Sequence, residues 1–456
     1  MTVVRFALLP ALLLVSCAVG PRYSPPRIAT EAAWKNAGFS AAPPEGSWWE
    51  VFRDPELTRL IREAERDSAG LRASLERLNQ ARADLGLARV DAFPALTGDV
   101  YGRRQRDSGN ANFSSGTYED YRGALNLTWE IDLWGRVRRQ VGAAAAEEQA
   151  AAYDYEGARL SLRGEIARTY LSLRFADADI ALLERTAALR ADARRLTEVR
   201  YKLGGSSRID FERAVTEHEA VLAELAAARA DRGRFENALA ALTGRRASGF
   251  RVAARRDQPV IPAVPAGVPS DLLRRRPDLA AAERRLAAAS ERIGLVVANY
   301  LPRITLGATG GARALRASDL FDAGSRLWTL GPEMQLPTLQ GGSLGANRKR
   351  AEALYREALA NHRDILLVAV RDTEDALTDG RHLAEASAAR TRGAASAARA
   401  AALARKRYLG GVSDYFEVAD AERTALTQER AALATNRARA LAATRLIQAL
   451  GGGWTQ

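Results

Sequence analysis

The feature that most constrains the fold is an internal duplication with a period of about two hundred residues. Leu85-Gly86-Leu87 recurs as Ile293-Gly294-Leu295, and Arg200-Tyr201 recurs as Arg407-Tyr408. Such a period is too long for a solenoid repeat. The sequence therefore predicts two superposable halves, over residues 56–250 and 251–456.

Each half contains a segment in which apolar and polar side chains alternate, as they do in a β-strand. Tyr121 to Trp134 places aromatic and aliphatic residues on one face and Arg, Asn, Thr, Glu and Asp on the other. Leu96 to Arg103 supplies a partner strand, and the intervening stretch is rich in Gly, Ser and Asn. This pattern predicts β-hairpins over residues 96–134 and, by the same alternation, over 303–337.

These strands have about the 9 to 11 residues that a tilted, bilayer-spanning strand needs. Half-buried hairpins of soluble proteins look similar, so alternation alone leaves both readings open. Four strands are too few to close, since single-chain barrels begin at about eight, and open edges are not tolerated in lipid. If the strands are in a membrane, several copies of the chain must share one barrel.

Between the hairpins and the ends of the halves lie very long helical segments, roughly residues 136–203 and 345–409. Each is followed, after a Gly turn, by a return helix that ends near Gly244 or Gly451. At 1.5 Å per residue such a segment would reach on the order of 100 Å. Apolar positions at heptad-like spacing favour helix packing. A lipid-anchored periplasmic coiled-coil scaffold or adaptor is the alternative, but it leaves the hairpins unexplained.

The first residues resemble an export signal. An apolar run after Arg5 is too short to span a bilayer and suits a signal peptide over residues 1–16. Cys17 is the only cysteine and follows Leu14-Val15-Ser16, which resembles the bacterial lipobox. Lipidation of Cys17 is predicted, with residues 17–55 as an extended segment; an incidental Cys at an ordinary cleavage site is the alternative. Ala18, not Asp, favours the outer membrane.

Several motifs together resemble the outer membrane factor family, which is TolC-like, in its NodT-type lipoprotein subgroup. The resemblance runs through nearly the whole mature chain. The motifs are Trp48-Trp49 with Asp54-Pro55-Glu56-Leu57, Trp129 to Arg136, Pro269 to Leu279, and Ala449 to Trp454.

The resemblance implies a homotrimer with a 12-stranded β-barrel, four strands per protomer, continuous with a long antiparallel α-helical barrel. It implies a passive exit duct for small toxic molecules, lipid-anchored in the outer membrane and extending into the periplasm. The implied partners are outer-membrane lipid, a periplasmic adaptor and an inner-membrane transporter, often proton-driven. A protein-secretion exit duct would use the same fold. Trp134 stands where Phe is more usual.

The second helical turn carries the predicted periplasmic gate. Phe416, Asp420 and Arg423 fall on one helical stripe, and in the family the corresponding stripe faces the axis. Phe416 stands where a small aliphatic residue is common. For these charges an ordinary solvated face is the alternative.

Other residues of the two turns are predicted to support the gate. Arg407 and Tyr408 are candidate latches between helices. Asp414 belongs to the gate region and, with Ser206, Asp210 and Ser413, can cap a returning helix. The family resemblance suggests that the adaptor contacts the glycines of the two turns, although they can equally be turn residues only. These glycines are Gly204, Gly205, Gly410 and Gly411.

Composition and motifs argue against other classes of function. The net charge of +12 invites nucleic-acid binding, but Arg alternates with Glu and Asp along the helices instead of clustering. The three histidines, His218, His362 and His382, have no metal-site spacing, and no nucleophile and base motif or phosphate loop is visible. We therefore expect no enzyme activity, no catalytic residue, no metal and no cofactor beyond a covalent lipid on Cys17.

Overall fold

The structure is a computed structural model that describes residues 18–26, 33–35, 46–108, 110, 116–264, 275–338 and 341–453. The predicted signal peptide, Cys17, residues 269–274 of the family motif and Trp454 lie outside the described residues. The expectations for them remain predictions.

Long helices dominate the described chain, and short strands interrupt them. The helices are α1 (Pro55–Asp67), α2 (Ala69–Val90), α3 (Arg136–Lys202), α4 (Arg208–Leu242), α5 (Pro277–Ala298), α6 (Ser343–Leu409) and α7 (Tyr415–Ala449). The strands are β1 (Ala95–Arg106), β2 (Thr117–Glu130), β3 (Arg303–Ala314) and β4 (Arg326–Gln335). This content confirms the predicted mainly α fold with four antiparallel strands.

The duplication is visible in the lengths of the elements and in backbone geometry. Helices α3 and α6 each have 67 residues, and α4 and α7 each have 35. Gly135 and Gly342, 207 positions apart, both have φ of 79° where a long helix begins. Glycine accepts this left-handed backbone without steric cost, so both halves use the same residue at the same corner.

The chain divides into two compact units, each drawn from both halves. The sheet unit comprises residues 1–27, 76–152 and 281–364, and the helical unit comprises 28–75, 153–280 and 365–456. In the sheet unit the four strands are antiparallel in the order β1-β2-β3-β4. One row of polar residues crosses all four strands, Thr97, Asn126, Thr309 and Thr329.

Strand β2 ends at Glu130, four residues before the end of the predicted alternation. The reason is Asp132, whose carboxylate accepts hydrogen bonds from the backbone N–H groups of Val137 (3.1 Å) and Arg138 (2.9 Å). These are unpaired donors at the start of α3, and capping them requires the chain to leave the sheet.

The helical unit is built around an aromatic and aliphatic core. Trp48 and Trp49 of the family motif are buried there, together with Phe52 and with Tyr170 of α3. Arg174 is 1 % exposed and donates to the backbone oxygen of Asp257 at 2.9 Å. Its burial is tolerated because the charge is hydrogen-bonded. This core packs the segment before α1 against the long helix α3.

Among the described residues, no helix combines the length and the apolar character that crossing a bilayer would require.

Candidate functional sites on the sheet and at the helical turns

One face of the sheet is apolar and largely uncovered in the single chain. Because directly paired residues share a face, the strand register assigns Leu96, Leu125, Trp328, Leu330 and Met334 to it. Trp328 is 78 % exposed, and the other four are 55–70 % exposed. An apolar surface of this extent needs a covering medium or partner.

The opposite face is polar and is ordered by ion pairs across three strands. Asp120 of β2 is fully buried (0 % exposed) between Arg103 of β1 (2.9 Å) and Arg313 of β3 (2.7 Å). On the same face, Arg122 lies 3.2 Å from Asp99. The sequence predicted the alternation of the two faces but not these partners, because charge pairing across strands depends on register.

The second helical turn joins α6 to α7 through Gly410 and Gly411. Gly411 has φ of 73°, and Val412 N–H returns to the carbonyl of Arg407 at 3.0 Å. This closes α6 with the left-handed glycine stop that the sequence predicted. Asp414 then caps α7 by accepting from the N–H of Glu417 at 3.1 Å.

The three residues of the predicted gate stripe lie at the start of α7, in the helical unit. Asp420 and Arg423 form an ion pair of 2.6 Å, and both side chains are more than half exposed. Phe416 is 52 % exposed, and the guanidinium of Arg213, from α4, lies 4.9 Å from its ring centroid. The single chain thus presents an aromatic ring, a carboxylate and a guanidinium on one stripe.

The two predicted latch residues have different partners. Arg407 pairs with Glu417 at 3.4 Å, across the turn and within the second half. Tyr408 is 5 % exposed, lies against Tyr415 and is covered by Arg200 of the first half, whose guanidinium is 4.4 Å from the Tyr408 ring centroid. Arg200 also donates to the backbone oxygen of Tyr408 at 3.3 Å. Tyr408 therefore joins the two halves, whereas Arg407 does not.

Behind the turn lies an ionic cluster that the sequence reasoning missed. Arg190 of α3 pairs with Glu217 of α4 at 3.0 Å, and Arg405 of α6 lies 3.8 Å from Glu422 of α7. Burial raises the pKa of Glu422, while Arg405 and Arg190 oppose the shift. Burial also raises the pKa of Tyr415 to about 12.

A signal for this cluster was present in the sequence. Glu422 falls on the apolar stripe of α7, in register with the buried Tyr415, Val418 and Ala425. A carboxylate at such a position is expected to find a cation or to be protonated.

The first helical turn joins α3 to α4 through Gly204 and Gly205. Gly204 has φ of 76°, but the cap of α4 is Ser207, which forms a reciprocal capping box with Asp210. The expected cap Ser206 does not bond the α4 backbone. Its hydroxyl donates instead to the carboxylate of Asp210 at 3.2 Å. The other expected serine cap, Ser413, has a buried hydroxyl oxygen without a partner in the described chain. Both serine expectations were wrong because the caps lie one residue later, at Ser207 and Asp414. Asp414 was itself an expected cap, and that expectation is confirmed.

The residues that the structure describes contain no cluster of three or more His, Cys, Asp or Glu side chains that could hold a metal ion. His218 lies beside Glu219 at 3.4 Å, and His382 lies beside Glu385 at 3.3 Å. Burial lowers the pKa of His362.

Comparison with known proteins shows which family the chain resembles in both halves. The family model described as outer membrane efflux protein matches residues 60–245 and 268–452, one stretch in each half. The chain is 32 % identical to outer membrane protein OprJ of Pseudomonas aeruginosa, over 99 % of this chain and 96 % of that protein. It is 28 % identical to the cation efflux system protein CusC of Escherichia coli, over 98 % of each.

A solved structure agrees with these relatives. The outer-membrane channel OprN superposes with a TM-score of 0.88 at 31 % identity, covering 96 % of this chain and all of the OprN chain. The family model covers most of the chain, and the first relative matches nearly end to end. The chain belongs to the outer membrane efflux protein family and is a protein of the outer membrane.

Proposed function

We propose that the chain forms a homotrimeric, passive exit duct of a tripartite efflux system for small molecules. The observation that carries the proposal is the sheet, with its exposed apolar face, its ion-paired polar face, and outer edges of β1 and β4 that have no neighbouring strand among the described residues. In lipid, unpaired strand edges are costly, and pairing β4 of one copy with β1 of the next removes them. Three copies would give twelve strands, with the apolar face toward lipid and the polar face toward a lumen.

The partners follow from the same reasoning and from family membership. A duct has no energy source of its own, so an inner-membrane transporter and a periplasmic adaptor would complete the pump. We propose that the adaptor contacts the turns at Gly204, Gly205, Gly410 and Gly411. Exposed apolar side chains beside these glycines support this, since Leu203 is 81 % and Val412 is 72 % exposed. We also retain lipidation of Cys17 as the membrane anchor.

The names of the relatives support small molecules, and not proteins, as the cargo. CusC is named for cation efflux, and this chain matches it over 98 % of each sequence and has the same fold. A scaffold that never enters the outer membrane would have no use for an exposed face bearing Trp328, Leu330 and Met334.

The experiment that tests the duct measures mass and conductance on the same sample. The detergent-extracted protein should have the mass of a trimer by light scattering and form single channels in planar bilayers. A monomer that forms no channels would contradict the duct and favour the scaffold.

We propose that the stripe of Phe416, Asp420 and Arg423 forms the periplasmic gate, with Arg407, Tyr408 and Asp414 supporting the turn. Three copies would stack rings of Phe, carboxylate and guanidinium near the axis. Replacing both Asp420→Ala and Arg423→Ala should raise single-channel conductance severalfold. Replacing the exposed pair Glu198→Ala and Lys202→Ala, which lies beside the first turn at 2.8 Å, is the control and should not. Unchanged conductance in the first variant would refute the gate and leave the duct standing.

A further inference from the structure

The long helix α3 has two helical neighbours within the sheet unit. It contacts α2, where the guanidinium of Arg82 lies 3.4 Å from the carboxylate of Glu148. It also contacts α5, where the guanidinium of Arg139 lies 2.9 Å from the carboxylate of Glu291. The contact with α5 joins the two halves of the chain, as does the pairing of strand β2 with strand β3. We name these two contacts together the central junction.

Helix α6, the counterpart of α3, leaves the corresponding face uncovered in the single chain. Three alanines that follow Arg139 on one stripe of α3 are at most 7 % exposed; they are Ala143, Ala146 and Ala150. The residues 207 positions later on α6 are all exposed; they are Arg350, Ala353 and Glu357. Helix α2 differs from α5 in the same way, because Val90 is 61 % exposed and its counterpart Ala298 is 3 % exposed. Both α2 and α6 therefore present a face that their counterparts bury.

The pairing of the hairpins assigns these counterparts residue by residue. Ala95 lies directly opposite Thr128 in the first hairpin, and Arg303 lies directly opposite Gln335 in the second. The offset is 208 positions on the first strand of each hairpin and 207 on the second. Helices α2 and α5 have the first of these offsets, and α3 and α6 have the second. One correspondence therefore relates both the helices and the strands of the two halves.

Two exposed residues of α2 and α6 are oppositely charged counterparts of a pair at the central junction. There the guanidinium of Arg284 on α5 donates to the side-chain oxygen of Gln149 on α3 at 3.3 Å. Their counterparts are Glu76 on α2 and Arg356 on α6, and both are exposed. Neither of them forms an ion pair with any residue that the structure describes. A carboxylate on one uncovered helix therefore corresponds to a guanidinium on the other.

The small residues of the central junction have larger counterparts on α2. Ala287 and Ala288 of α5 pack against α3, and Tyr23 lies against this cluster. The counterparts of the two alanines are Asn79 and Gln80. Tyr23 precedes the duplicated halves and so has no counterpart. The longer side chains of α2 can therefore occupy the volume that the ring of Tyr23 fills at the central junction.

We propose that the contact between neighbouring copies repeats the central junction, with Glu76 of one copy paired with Arg356 of the next. The proposal rests on the trimer described above and deepens it by assigning the residues that join the copies. Helix α6 contacts α2 of the next copy as α3 contacts α5. Each half then has the same two neighbours, so the six halves of three copies close into a ring without a free strand edge.

The strands follow the same correspondence, with β4 paired to β1 of the next copy in the register of β2 with β3. Asn126 lies directly opposite Thr309 at the central junction. Their counterparts are Glu333 on β4 and Tyr101 on β1, so these two residues lie directly opposite each other where two copies meet.

The first test exchanges the charges of the helix pair. Glu76→Arg alone and Arg356→Glu alone each place like charges at all three contacts, so the detergent-extracted trimer should dissociate at a lower temperature by light scattering. The variant with both replacements restores opposite charges and should recover the dissociation temperature of the parent. Arg195→Glu reverses an exposed charge of α3 in the helical unit; this control should leave the dissociation temperature unchanged.

The second test links the strands covalently. Glu333→Cys combined with Tyr101→Cys brings two thiols within disulfide range at every contact, because directly paired residues have Cα atoms about 4.5 to 5.5 Å apart. Mild oxidation should therefore give a covalent trimer on a denaturing gel. Met334→Cys combined with Tyr101→Cys is the control and should stay unlinked, because adjacent residues of a strand point to opposite faces.

The outcomes separate this contact from the duct. A trimer whose doubly exchanged variant is no more stable than the single variants would overturn the proposal and leave the duct standing. A trimer that forms no disulfide with the directly opposed cysteines would overturn it equally. A chain that is monomeric before any replacement would contradict the trimer itself and, with it, the contact.

Discussion

The two helical turns have the same backbone conformation but differ in their side-chain contacts. Residues 207 positions apart occupy the same places, so Ser207 corresponds to Asp414 as the helix cap and Asp210 corresponds to Glu417. In the first turn Asp210 completes a capping box with Ser207, whereas in the second Glu417 pairs with Arg407.

The aromatic residues of the turns differ in the same way. Tyr201 is 40 % exposed and stacks on Phe211 of its own half, whereas its counterpart Tyr408 is buried beneath Arg200 of the other half. The aromatic contact of the first turn thus lies within its own half, whereas the buried tyrosine of the second turn is covered by a residue of the first half. A duplicated backbone can therefore carry different side-chain contacts in its two copies.

The largest effect is expected where the second turn depends on the first. Arg190→Ala removes the cation that pairs with Glu217 at 3.0 Å and leaves this mostly covered carboxylate without its ion pair, which should cost on the order of 3 kcal/mol. Thermal unfolding of the detergent-extracted protein should show a clear loss of stability. The control, Arg195→Ala on the same helix, removes an exposed pair and should change little. If both variants lost the same stability, the ionic cluster would not be what stabilises the second turn.

The next largest effect is the stability cost of replacing the left-handed glycine of each turn, which tests whether the two turn backbones are equivalent. Gly204→Ala and Gly411→Ala both place a Cβ in a left-handed conformation with no neighbour within 4 Å, so each should cost about 1 kcal/mol. Hydrogen exchange of the turn amides would report the local opening. Markedly unequal costs would show that one turn is held by more than its backbone.

A smaller effect concerns pH and Glu422. The pKa of this carboxyl is raised in the folded protein, so folding favours its protonated form. The stabilisation is complete below the ordinary pKa of 4.5 and is lost as the pH rises through the folded pKa. Hydrogen exchange at the start of α7 should therefore be slower at pH 5 than at pH 7.5. Glu422→Gln should reduce this difference beyond the pH effect on intrinsic exchange, and an unchanged difference would exclude Glu422 as its source.

The smallest effect sharpens the comparison at one matched position. Phe416 and Ile209 occupy equivalent places, and both are exposed. Phe416→Ala removes the ring beneath Arg213 and should raise conductance modestly, by less than the Asp420 and Arg423 double replacement. Ile209→Ala should leave conductance unchanged. An equal rise in both would assign gating to both turns.

Much of the fold followed from sequence because its determinants are local. Helix α3 was predicted over residues 136–203 and occupies 136–202, since heptad spacing and the glycine stop at Gly204 define it. The two faces of the sheet followed from alternation. The ion pairs did not, because Arg430 with Asp179, or Arg313 with Asp120, join residues more than 190 positions apart and depend on register and packing. The family resemblance supplied the predicted gate stripe, which periodicity alone would have left as a solvated face.

The equal lengths of corresponding helices have an evolutionary consequence. Substitutions in one half can be absorbed locally, as the different side chains of the two turns illustrate. Removing one residue from a long helix rotates everything beyond it by about 100° and shifts it by about 1.5 Å, so a whole contact stripe loses its partners. Such a chain can diverge freely in side chains while gaining or losing length only in whole heptads, added to all four long and return helices together.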